Sequence, residues 1–158
     1  MPSQLVEAWH MANVENFYTL DQIPAAHMSD SYSTRTRTVS AQFAHMHNVR
    51  TRWMMHMAPS LLGKVKTFPR GAQPTKRELK AALRASEKVI ARYLEECEAA
   101  GKVKRWKGPP ATFLCYLVAH EAHHRGLAMV AMRMCGHRPS KELVHGQWQW
   151  GKQGENWH

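Results

Sequence analysis

The stretch His120-Glu121-Ala122-His123-His124 concentrates the side chains of this chain best suited to chemistry. On a helix, positions four apart stack on one face, so His120 and His124 can turn ring nitrogens toward a single ion. The line they occupy is otherwise apolar, running through Phe113, Leu117, Leu127 (or Ala128), Ala131 and Met134 at steps of three and four. Two neutral imidazoles on a core-facing line need polar partners or a metal. His123 points about a third of the way round the helix and stays apart. One helix supplies two ligands, whereas a metal with an open position commonly takes three from the protein. The third comes from the segment Ala44-His45-Met46-His47-Asn48-Val49-Arg50, or from His56. His45 and His47 lie on nearly opposite helix faces, so one of them serves, and periodicity does not choose between them.

The same block also reads as H-E-x-x-H, the zinc-protease pattern in which Glu121 would be the general base. Position 130, six residues past His124, is Val rather than a further His, and no strand-rich half is present to hold a peptide. Glu121 therefore reads as an exposed helix residue or as a partner that orients a His. No protein thiol suits a nucleophilic role: Cys115 lies five residues before His120 and off its face, and Cys97, Cys115 and Cys135 read as small buried hydrophobes. Arg50, one turn beyond His47, is the candidate for binding an anionic substrate. Arg125 reads as a helix-surface or interface salt-bridge residue.

Four helical patterns must carry these groups. The first covers about residues 3–20, with Ser3 as N-cap and a stripe of Leu5, Val6, Trp9, Ala12, Val14 and Phe17. Residues 21–37 hold Pro24 and a Ser/Thr/Arg run and read as a connection. The second helix spans about 38–57. Thr75 and Glu78 form a capping box that opens the third, whose stripe is Leu79, Leu83 (or Ala82), Val89/Ile90, Tyr93/Leu94 and Cys97, and Gly101 stops it. Gly108, Pro109 and Pro110 break the chain before a fourth helix over about 111–135, closed by Gly136 and Pro139. No strand alternation is visible. The expectation is an all-α, antiparallel four-helix bundle, one domain over 1–158 with 137–158 as a tail containing Trp148, Trp150 and Trp157.

At 158 residues the chain can bury a full core, and 44% apolar with 22% charged residues is globular rather than disordered composition. The net charge is +10, and residues 64–108 carry +8 of it. Lys76, Lys80, Arg84 and Lys88 repeat at the period of one helix stripe, which reads as a solvated outer face. No helix-turn-helix, zinc knuckle or basic-aromatic interleaving points to nucleic acid. Three Cys without a C-x-x-C pair exclude a disulfide framework. No run of about 18 apolar residues and no secretory leader are seen, so a cytoplasmic location is expected.

Phe43-Ala44-His45-Met46-His47-Asn48-Val49-Arg50, followed by His120-Glu121-Ala122-His123-His124-Arg125-Gly126, resembles the DinB/YfiT-like superfamily of small bacterial four-helix proteins. The likeness runs from the first helix to Gly136, and H-x-x-x-H-R-G is its most specific part. It implies a metal, nickel or zinc, held by one His of the second helix and two of the fourth. Matched by motif, these are His45, His120 and His124. Leu127 stands where such proteins often have Gln. The resemblance further implies a homodimer, and an activity like that of thiol-S-transferases using mycothiol or bacillithiol, or of a maleylpyruvate isomerase. Trp53, Met54, Met55 and Met57 form an apolar cluster wider than one core stripe, which also suggests a dimer. The functional expectation is a metal that activates a small thiol or water against an electrophile. The alternative is a metal-binding or stress-response protein without turnover.

Overall fold

The computed structural model describes residues 3–150. Ser3, Thr38, Thr75 and Ser140 each accept a hydrogen bond from the backbone N–H three residues on, and a helix begins after each of them. These are α1 (Gln4–Gln22), α2 (Val39–Met57), α3 (Lys76–Ala100) and, last among the described residues, α5 (Lys141–Gly146). The Thr75–Glu78 capping box is formed in both directions, and Gly101 ends α3 at φ 64°, a left-handed conformation that favours glycine. α4 (Pro110–Met134) starts instead on Pro110, whose missing N–H costs nothing in the first turn. The described residues contain no strand, and no helix among them is long and apolar enough to cross a membrane.

Cross-helix contacts give the directions. Trp9 Nε1 donates to the Glu87 carbonyl at one end of α1, and Lys80 meets Asp21 at the other, so α1 and α3 are antiparallel. Gln42 reaches His124, Arg50 reaches Glu121 and Trp53 packs on Phe113, so α2 and α4 are antiparallel. Ser40 donates to the Pro74 carbonyl and His47 reaches Ser86 further on, which makes α2 and α3 parallel. The bundle is therefore up–down–down–up. The connection 58–75 is long enough to return along the whole of α2, a helix of about 28 Å.

The core has two apolar clusters. One gathers Trp9, Met54, Ile90, Leu94, Phe113 and Leu117; the other gathers Phe17, Phe43, Met46, Leu83, Ala128 and Ala131. Between them lies a buried polar layer to which all four long helices contribute. Arg50 is fully buried there. Its Nε donates to Glu121 Oε1 at 2.6 Å, and one terminal nitrogen donates to Glu121 Oε2 at 2.8 Å and Asn13 Oδ1 at 2.7 Å. The other donates to the Leu83 carbonyl, and the guanidinium lies over the Trp9 ring at 4.5 Å. Asn16 donates to Glu121 and accepts from Arg125.

Two expectations change here. The segment read as a tail contains α5, which docks through the fully buried Leu143 and through the Tyr18 hydroxyl, a donor to the Glu142 carbonyl. Trp148 and Trp150 are exposed, and Trp157 lies outside the described residues. Of the apolar cluster that suggested a dimer, Met54 and Met57 belong to the core and Trp53 packs against it, leaving Met55 exposed. Part of the basic stripe has structural employment too: Lys76 donates to the Asp21 and Ile23 carbonyls, Lys80 pairs with Asp21, and Arg84 lies over Phe17.

Candidate metal centre

His45 on α2 and His120 and His124 on α4 come together where the antiparallel pair crosses. Each offers a nitrogen, and the three nitrogens lie within 4.8 Å of one another. The His45 ring is 5.3 Å from that of His120 and 4.6 Å from that of His124. Two ligands at about 2.1 Å from one ion stand at most about 4.2 Å apart. His120 Nε2 and His124 Nε2 already face each other at 3.1 Å. His45 is only half-buried.

The tautomer of His124 is set from behind. Its Nδ1 donates to Gln42 Oε1 at 2.6 Å, which leaves the Nε2 lone pair pointing at the cluster. Burial holds all three imidazoles below the usual histidine range, and the positive charge of Arg37 adds to it. His45 is lowered to about 4 and His124 to about 3; for His124 the neighbouring His120 and His45 contribute after desolvation. The donor set is thus three neutral nitrogens at neutral pH, which fits zinc or nickel and does not choose between them.

His47 is not part of this group. Its Nε2 donates to the Lys66 carbonyl at 2.9 Å and its Nδ1 faces the Ser86 hydroxyl at 3.1 Å. His123 is exposed, and His56 lies at the far end of α2 beside Arg105. Arg50, expected to bind an anionic substrate, has no exposed surface and spends its donors on the buried layer. Glu121 is buried with it rather than exposed, so its carboxylate is engaged by Arg50 and Asn16 and is not free to act as the base of a protease. Arg125 is turned inward to Asn16 rather than lying on the surface. Of the cysteines, Cys97 is buried, while Cys115 and Cys135 are exposed, contrary to the expectation for those two.

Of the three histidines, His45 lines a cavity of about 820 Å³. His45, Gln42 and Leu127 line it together with Arg35, Arg37, Arg52 and Arg70. A family model described as DinB family matches residues 1–148. The chain belongs to the DinB family. No curated protein matches this DinB-family chain.

A second histidine group was not anticipated. His27, Asp30 and His137 also place ligand-type atoms within 4.8 Å of one another. His137 Nδ1 donates to Asp30 Oδ2 at 2.7 Å, while His27 Nδ1 stands 3.7 Å from the same oxygen. The two rings stack at 3.8 Å with 27° between their planes. A ring nitrogen's lone pair lies in the ring plane, so near-parallel stacked rings do not aim at one nearby point. This group ties the turn after α4 to the connection before α2.

Proposed function

We propose that His45, His120 and His124 hold one divalent transition metal, zinc or nickel, and that the chain is a metal-dependent transferase acting on a small-molecule thiol. The observation that carries this reading is the convergence of three neutral imidazoles, one fixed in its tautomer by Gln42 and one, His45, lining a cavity. A divalent ion held by neutral ligands supplies undiminished Lewis acidity, which lowers the pKa of a thiol or water that it binds. The chain's own part is to orient and shield. Gln42 fixes the His124 ring, the buried Arg50–Glu121 pair holds α2 against α4, and Leu127 adds an apolar side chain to the cavity lining. No cysteine lies in the cavity lining, so the thiol is a co-substrate from solution. A cytoplasmic setting, where such thiols stay reduced, belongs to this reading. So does a homodimer, for which Met55 is the exposed member of the Trp53–Met57 cluster.

The test is a panel of low-molecular-weight thiols with electrophiles, run on metal-loaded and chelated protein. Turnover that needs the metal supports the reading. Equal rates with and without metal across the panel reject it in favour of a non-catalytic metal-binding protein.

A further inference from the structure

The cavity beside His45 has an unusual charge balance. Arg35, Arg37, Arg52 and Arg70 line it, and no Asp or Glu does. These arginines reach it from separate places in the chain: two from the connection before α2, one from α2 itself and one from the connection before α3. None of the four takes part in an ion pair among the described residues. Some cations elsewhere are held within the fold. Arg50 is closed into the core by Glu121, and Lys80 pairs with Asp21. Arg84 lies over Phe17.

Four like charges around one concavity repel each other in the empty molecule, and a low-dielectric wall focuses their field inward. Guanidinium forks suit carboxylate and phosphate oxygens, because two parallel N–H donors match two oxygens. Asn48, Thr34, Thr36 and Gln73 add neutral polar groups to the lining. The volume of about 820 Å³ suits a small molecule, not a folded partner or a duplex.

We propose that this cavity binds a small molecule carrying two or more oxyanion charges, with Arg37 and Arg52 as principal contacts and the ligand's reacting end toward His45. As a statement about substrate, it rests on the reading of the histidine trio as the reacting centre; as a statement about binding, it does not. The anionic substrate expected from Arg50 is thereby moved to arginines that face the opening.

The test is calorimetric titration of the full chain, as purified and after chelation, with tricarballylate, pyrophosphate and, as a monoanion, acetate. In the chelated protein at least one multiply charged probe should bind at least tenfold more tightly than acetate. The Arg37→Ala/Arg52→Ala variant should weaken that binding at least tenfold, while Lys88→Ala/Arg92→Ala on the outer face of α3 should leave it within twofold. Preference for tricarballylate assigns a polycarboxylate, and preference for pyrophosphate a phosphorylated molecule. Equal affinities of the wild type and the Arg37→Ala/Arg52→Ala variant, or no probe exceeding acetate, would overturn the proposal. Metal content is measured on the same samples. Arginine-dependent anion binding by a chain that takes up no metal would uphold the pocket and sink the metal-dependent function; metal uptake without anion binding would do the reverse.

Discussion

His45, His120 and His124 form one group of three ligand-type side chains, and His27, Asp30 and His137 form another; within each the ligand atoms meet the same distance limit. They differ in what stands behind them. In the first, three neutral nitrogens converge, and a buried amide oxygen fixes the orientation of one ring. Its helices are clamped together by the Arg50–Glu121 pair one turn away. In the second, a carboxylate already accepts a proton donor from His137, and the rings lie face to face. It joins a turn to a connection rather than two long helices. Proximity of donors is therefore a weak criterion for a metal site; lone-pair direction and the support behind each ring decide.

Removing the support is the strongest way to break the difference. Glu121→Ala leaves the Arg50 guanidinium buried without its carboxylate, and stability in urea should fall by about 3–5 kcal/mol. A loss under about 1 kcal/mol would mean that the polar layer is not what holds α2 to α4. A narrower change sharpens the contrast. Gln42→Leu frees the His124 tautomer, and zinc affinity should drop about 10- to 100-fold with little change in metal-free stability. Unchanged affinity would show that the ring needs no outer partner.

A smaller effect is spread over pH. The folded pKa values of His45 and His124 are depressed, to about 4 and about 3, so below pH 6.5 the unfolded chain binds more protons. Their contribution is fully favourable above about pH 6.5 and is lost as pH falls through about 4 and then 3. Glu15, whose carboxyl burial pushes up to about 7, acts with the opposite sign. The readout is therefore a difference: metal-free wild type should lose stability more steeply between pH 6.5 and 4 than metal-free His124→Ala. Parallel curves would contradict the burial of a neutral His124.

The helix ends were legible because their signals are local. Thr75 with Glu78, Gly101 and the Pro109–Pro110 pair each act within a few residues. The His120–His124 pairing was legible because a helix converts four-residue spacing into one face. His45 could not be separated from His47 by periodicity, since neighbours two apart face opposite ways and the buried face was unknown. What separates them is long-range: His47 is taken by Lys66 and Ser86, on the following connection and on α3. Arg50 was misread for the same reason, because its partners Asn13, Ser86 and Glu121 lie on three other helices. A signal did exist in the polar Asn13 and Asn16 interrupting the apolar stripe of α1. The direction of α3 and the meeting of His27 with His137 depend on how long connections return, which local spacing does not encode.

Metal stoichiometry by elemental analysis tests the central claim most directly. Purified chain loaded with zinc and desalted should retain one equivalent. His120→Ala/His124→Ala should retain less than about a tenth of that, while His27→Ala/His137→Ala, folded as judged by circular dichroism, should retain the full equivalent. Full occupancy after loss of His120 and His124, or its disappearance on loss of His27 and His137, would contradict the account.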